Sequence, residues 1–256
     1  MFRYTLKKDQ TESKTGFRYR GIETSRLEAL TDTVFGFSIT LLVVSLEVPK
    51  SYLELQKSMY GFLGFIFCTM LILALWNRHY IFFLKYGIED RLTKTTNFLL
   101  LFLLLYYVYP LKYLFDILGT SFWLEIKSFF GASSEVMRLK AKELNQALLT
   151  PDQWADLMIN FGLGLAAIQF IYFLWYYNAY RKRDLIELNA LEVAETKIQL
   201  YGFSITMGIP FISVLIVVIW GGVASAQAGF TYLLIPLLAL VHKHTVRKRI
   251  MNSLNQ

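Results

Sequence analysis

Apolar residues run along this chain in long unbroken stretches, not in the short alternations of a half-buried strand. No Asp, Glu, Lys or Arg occurs in residues 58–77, 157–180 or 198–242, runs of 20, 24 and 45 residues. Residues 33–46 and 95–111 add charge-free runs of 14 and 17. About 20 mostly apolar residues carry a helix across about 30 Å of hydrocarbon, so the pattern predicts membrane-spanning helices. Strands of a membrane barrel would need alternating apolar and polar positions, and these runs do not alternate. Six spans result, at about 28–48, 58–84, 95–117, 155–180, 199–220 and 226–243. The longest run exceeds one span; Gly221-Gly222 and the following Ala-Ser-Ala-Gln-Ala-Gly split it into a hairpin.

Composition agrees. Hydrophobic residues make up 55% of the 256 and charged residues 18%, against about 45–50% and 25% in soluble domains. A soluble globular domain and a disordered chain are both excluded. The single cysteine, Cys68, permits no intrachain disulfide. Residues 1–25 form a basic arm without the apolar core of a signal peptide. Residues 26–245 are read as a six-helix transmembrane domain and 246–256 as a tail. The net charge of +7 is unevenly spread. Nineteen of the 26 Lys and Arg residues fall in the arm, the 2–3 and 4–5 connections and the tail. Basic residues stay cytoplasmic, which places both termini inside and makes these runs topology signals, not a nucleic-acid surface. The 3–4 connection, about 118–154, is the one long outer loop. Within it Ser128–Leu149 reads as a short interfacial helix, and Thr150-Pro151 as the cap and first turn of span four.

Span one is the most polar. At 100° per residue Thr33, Phe37, Thr40 and Val44 fall on one narrow stripe, and Thr31, Ser38 and Ser45 on a second, roughly 140° away. Small polar residues let helices approach closely and bond across the gap; alternatively, one stripe lines an aqueous path. Periodicity leaves both readings open. Asp32 lies near the start of this span, and a carboxylate inside a membrane calls for a partner. Span two runs the opposite way and ends with Trp76 and His79, an i, i+3 pair. Asp32 is 15 residues from Glu47 and Trp76 is 19 from Lys57, so both lie at a similar depth, where indole and imidazole are natural donors to a carboxylate.

Arg26-x-x-x-Leu30-Thr31-Asp32 resembles the Arg-x-x-x-Phe-Ser-Asp signature that opens the first helix of the transmembrane protein 175 family, lysosomal potassium channels and their prokaryotic relatives. The likeness continues through Val34-Phe35, Ile39–Val43 and Pro49, and through Trp76-x-x-His79, Asn97 and Pro110; it is dense over residues 26–115 and thin afterwards. Leu30-Thr31 stand where the family usually has Phe-Ser, and Phe37 where it typically carries Ile or Leu. The resemblance implies an all-α subunit of six spans, assembling as a homotetramer with helix 1 around a central pore. It implies potassium conduction without a Gly-Tyr-Gly carbonyl filter, a motif missing from this sequence. Mapped here, Phe37, Thr40 and Val44 would line the pore. Phe37 would form an apolar constriction, and four Thr40 hydroxyls would ligate potassium transiently. Arg26, Thr31, Asp32, Trp76 and His79 would tie helix 1 to helix 2 without touching the ion.

The expectation is therefore a potassium-preferring channel in a prokaryotic inner membrane, with no enzymatic activity, no organic cofactor and no fixed metal. An intramembrane enzyme would need a nucleophile and base at one depth, and Cys68 has no histidine at its level. A secondary transporter would favour internal repeats, and none is found. That transporter and a non-conducting structural subunit are the alternatives.

Overall fold

The long charge-free runs become long helices. The computed structural model describes residues 16–44, 49–131, 134–146, 149–238, 240–242 and 245. They form α1 (Arg26–Val44), α2 (Tyr52–Ser58), α3 (Phe62–Tyr86), α4 (Arg91–Phe129), α5 (Glu135–Gln146), α6 (Pro151–Arg181), α7 (Ala190–Trp220) and α8 (Ser225–Phe230), with no strand among the described residues. Residues 234–238 and 240–242 are also helical. Most of the N-terminal arm, the tail 246–256, and Ser45 of the second stripe lie outside the described residues, as does the side chain of Val44.

Five segments are long and apolar enough to cross a membrane: Tyr52–Tyr86, Arg91–Phe129, Pro151–Arg181, Ala190–Trp220 and Gly222–His242. The chain is an all-helical membrane protein. α1, at 19 residues, is not among the five; it carries Arg26, Glu28 and Asp32 in its first two turns, and the rest of the stretch read as span one lies outside the described residues. The third span is longer than its apolar pattern indicated. α4 is a single helix of 39 residues, about 58 Å at 1.5 Å per residue, so what reads as the start of an outer loop after residue 117 is three further helical turns. Gly119, Thr120 and Leu124 are buried there, which explains why the helix continues past Lys112 and Asp116.

Local sequence sets the helix ends. Thr150 caps α6 by accepting from the Gln153 N–H at 3.3 Å, while the Gln153 side chain accepts from the Thr150 N–H at 2.9 Å, with Pro151 in the first turn. Asn189 and Glu192 make the same reciprocal pair at the start of α7. Gly87 ends α3 at φ +57°, where its N–H reaches the Phe83 carbonyl at 2.9 Å. α3 and α4 cross at Gly64 and Gly119. A Cβ on Gly64 would meet the Phe115 carbonyl oxygen at 2.4 Å, and one on Gly119 the Gly64 nitrogen at 2.4 Å. Such backbone contact is how membrane helices gain dispersion energy that lipid cannot supply.

α3 pairs with α4 and α6 with α7; α4 also packs on α6, and α1 lies across α3 and α4. The shared core holds Phe35 of α1, Phe82 and Phe83 of α3, Leu104 of α4, and Tyr172 and Trp175 of α6, all nearly inaccessible. Charged groups collect at one end, where α1 and α7 begin and α3 and α6 finish. Lys85 pairs with Glu195 at 2.8 Å. Glu192, fully buried, accepts from Arg20 at 2.7 Å and Arg18 at 2.9 Å, which straps the segment before α1 onto α7. The chain just before α1 is also bound to α3, the Arg20 and Gly21 N–H groups donating to the Leu84 carbonyl at 3.1 and 3.0 Å. Asp90, N-cap of α4, takes Asn178 at 2.8 Å and also Lys182. Burial pushes the Asp90 carboxyl up, but the Lys182 ammonium and the Thr93 N–H outweigh it and hold the pKa down to about 2.

Candidate functional site

α1 is built with two unlike faces. Its first turn is capped by Ser25, whose hydroxyl accepts from the Glu28 N–H at 3.0 Å and donates to the Glu28 carboxylate at 3.0 Å. Leu27, Thr31, Phe35, Ser38 and Leu42, spaced by four, four, three and four residues, are buried against α3 and α4. The other face carries Thr33, Gly36, Phe37, Thr40 and Val43, all exposed on this chain, with Phe37 54% accessible. Of the two stripes read in the sequence, Thr31 and Ser38 belong to the packed face. Thr33, Phe37 and Thr40 belong to the outward one.

Hydroxyls on both faces are tied to their own helix. Thr31 donates to the Leu27 carbonyl at 2.8 Å, Ser38 to Val34 at 2.8 Å, Thr33 to Ala29 at 2.8 Å and Thr40 to Phe37 at 2.7 Å. A hydroxyl carries one hydrogen and two lone pairs. With the hydrogen committed to the backbone, what Thr33 and Thr40 present outward is oxygen with free lone pairs, a ligand for cations and not for anions.

The polar residues toward the start of α1 divide into two separate sets. The Trp76 indole N–H donates to Asp32 Oδ1 at 2.8 Å. His79 does not join that pair; its Nε2 meets Asn97 Oδ1 at 3.2 Å, and Asn97 Nδ2 donates to Thr31 Oγ1 at 2.8 Å. Since the Asn97 amide spends its N–H on Thr31, its oxygen must accept, which assigns the proton to His79 Nε2. His79 is 1% exposed, between Phe83, Trp175 and Phe35 at ring distances of 4.5, 5.6 and 6.1 Å. It is a core residue and not an interfacial one. Arg26 is exposed, and no described residue pairs with its guanidinium. Cys68 is buried with its thiol on the Leu111 carbonyl at 3.6 Å. Among the described residues no cluster of His, Cys, Asp or Glu could hold a metal ion.

Two roles were not found by sequence reasoning. Asn97 enters the resemblance by its position, but only its neighbours in space show that it joins α1 to α3. Ser25-x-x-Glu28 is legible as a capping box, and it fixes the start of α1 two residues before the predicted span.

Fold and site together define an integral membrane protein of packed helices whose first helix turns a face of hydroxyls and aliphatic or aromatic groups away from its own subunit. The family described as "Endosomal/lysosomal potassium channel TMEM175" matches residues 26–107, the segment that contains α1, α3 and the first half of α4. A protein of Marivirga tractuosa named "Potassium channel" is 35% identical over 236 residues, covering 91% of this chain and 92% of that one. A crystal structure of a threonine-to-alanine variant of the potassium channel MtTMEM175, in complex with a nanobody–MBP fusion, is 32% identical. It covers 93% of this chain and all of its own, at a TM-score of 0.75. The chain belongs to the TMEM175 family.

Proposed function

We propose that this protein is a passive, potassium-preferring cation channel, not an enzyme. Four copies, each with six spans, surround a pore lined by the outward face of α1. The observation that carries the reading is that face. Thr33, Phe37 and Thr40 stand exposed at helical spacing, while the residues behind them are packed or hydrogen-bonded into the subunit. A 19-residue helix is about 28 Å long, close to the hydrocarbon thickness. Its exposed hydroxyls are poorly suited to lipid and well suited to a lumen. The relatives named as potassium channels support potassium as the permeant ion.

In this arrangement Phe37, Thr40 and Val44 are successive layers, about 4.5 and 6 Å apart along the axis. Four Phe37 rings form the narrow apolar constriction, where dewetting opposes ion passage. Four Thr40 hydroxyls, their hydrogens held by the Phe37 carbonyls, offer oxygen lone pairs to a partly dehydrated cation. Potassium sheds water more cheaply than sodium, so a ring of few, weak ligands favours it modestly. The Asp32–Trp76 pair and the Thr31–Asn97–His79 chain hold the rotation of α1, which keeps the same stripe on the lumen. They bear no contact with the ion. The distribution of Lys and Arg supports both termini in the cytoplasm, and the Marivirga tractuosa relative supports a prokaryotic inner membrane as the setting.

The test is ion flux from liposomes containing the purified protein, with potassium and sodium compared and Thr40→Ala beside the wild type. Potassium flux above sodium flux, with the gap narrowed by the substitution, is the expected result. An intact oligomer that passes neither ion would remove the channel reading.

A further inference from the structure

A second polar feature lies near the charged end of the molecule, with no α1 residue in its lining. Between α3, α7 and the last helical segment is a cavity of about 200 Å³, whose polar lining includes Arg78, Gln199 and His242. Arg78 is half-buried and lies over the Phe203 ring at 5.2 Å. With one face of the guanidinium against the ring, its in-plane N–H donors are left for something else. No described residue bonds the Arg78 guanidinium or the Gln199 amide. His242 is oriented by its Nε2 on the Ile198 carbonyl at 2.9 Å.

Depth and charge identify what fits. Arg78 is seven residues, about 10 Å, along α3 from Lys85, and Gln199 is one turn along α7 from Glu195. Lys85 and Glu195 neutralise each other at 2.8 Å, so the acid closest in sequence to the cavity is already engaged. Lys197 lies over the Tyr180 ring at 5.4 Å. The cavity lies to the membrane side of the ion-pair layer, and the described cations at or beside it, Arg78 and Lys197, have no carboxylate partner among the described residues. A cation at that level without a protein counter-ion binds an oxyanion. The volume admits a phosphodiester and excludes acyl chains, which would lie along the exposed apolar faces of α7 outside.

We propose that this cavity is a binding site for the phosphodiester of an anionic glycerophospholipid in the leaflet where α1 begins. Arg78 holds the phosphate by its forked donors, and Gln199 donates to a further oxygen. The site does not depend on the pore reading; a protein that conducts nothing could still bind lipid here.

The full-length protein, purified in detergent and delipidated, is titrated with short-chain phosphatidylglycerol, with phosphatidylcholine and with inorganic phosphate. Bound lipid is read by native mass spectrometry and protection by the thermal unfolding midpoint. The expected result is saturable retention of phosphatidylglycerol and weaker retention of phosphatidylcholine. Phosphatidylglycerol affinity should fall about ten-fold or more in Arg78→Gln, the loss of the charge-assisted fork. Arg78→Lys, which keeps the charge without the fork, should fall between. Gln199→Glu, which sets a carboxylate in the cavity, should lose retention even if Arg78→Gln does not fold. Equal phosphatidylglycerol retention by the wild type and the folded variants would overturn the site. Equal retention of phosphatidylcholine would overturn its preference for net-anionic lipid. Protection by inorganic phosphate matching that by phosphatidylglycerol would overturn the lipid as the source.

Discussion

The two faces of α1 carry the same chemistry and meet opposite surroundings. Thr31 and Ser38 on one side, Thr33 and Thr40 on the other, are all small hydroxyl residues bonded back to their own helix at 2.7–2.8 Å. Thr31 and Ser38 are completely buried, and Thr31 receives Asn97 from α4. Thr33 and Thr40 are exposed, and among the described residues no side chain bonds to either. Polarity in a membrane helix therefore does not by itself mark function. What distinguishes the faces is whether the described part of the subunit supplies a partner, and that difference is what the outward face's reading as a lumen rests on.

Breaking the packed face should cost the most. Phe35 is 2% exposed in the core beside His79. Phe35→Ala should destabilise the protein by about 3 kcal/mol or more, since surrounding helices cannot collapse fully into the space. Thermal and denaturant unfolding in detergent would register this as a large drop in midpoint. A midpoint within a degree or two of wild type would mean that α1 is not held by this face.

Asn97→Leu comes next. It removes both bonds of the Asn97 amide and leaves the His79 imidazole and the Thr31 oxygen short of a partner. The cost should be about 1–3 kcal/mol, the penalty of an unsatisfied buried group. Leu matches Asn in branching but is bulkier, so a much larger effect in the same assay would point to overpacking and not to the lost bonds alone. Trp76→Phe is smaller. It deletes the donor to Asp32 while keeping the ring on Tyr80, stacked at 5.7 Å, and should cost about 1 kcal/mol because Asp32 is exposed and keeps solvent. An unchanged midpoint would make the Asp32–Trp76 pair dispensable for holding α1.

These differences follow how far the sequence can be read. Charge-free runs gave the helical membrane class, because hydrocarbon thickness sets a length that composition alone can meet. The spacing of Thr31/Ser38 and Thr33/Phe37/Thr40 divided α1 into stripes, but choosing the packed one required knowing where α3 and α4 lie. Depth arithmetic paired Asp32 with Trp76. It could not show that His79, one turn further along, points to Asn97 instead, since rotation about α3 is set by packing. The length of α4 was hidden by Glu125 and Lys127, which fall in the stretch read as outer loop although Gly119, Thr120 and Leu124 in those turns are buried. The Arg18 and Arg20 strap onto Glu192 joins residues more than 170 positions apart, and no local pattern announces such a pair.

The smallest expected change in stability is also the most informative for the outward face. Thr40 is exposed, and its one bond is to its own backbone; Thr40→Ala should shift stability by no more than about 0.5 kcal/mol, the range of surface substitutions. Loss of the β-branched hydroxyl even favours the helix slightly. If the outward face lines a pore, the same substitution should move the reversal potential measured under opposed potassium and sodium gradients toward the non-selective value, while oligomeric state and midpoint stay put. A silent substitution on both readouts would show that Thr40 faces lipid. A marked fall in oligomer stability without a change in reversal potential would make the outward face a subunit contact and place the conduction path elsewhere. Separating the two readouts is what distinguishes a lumen from an interface, because packing and permeation place opposite demands on the same hydroxyl.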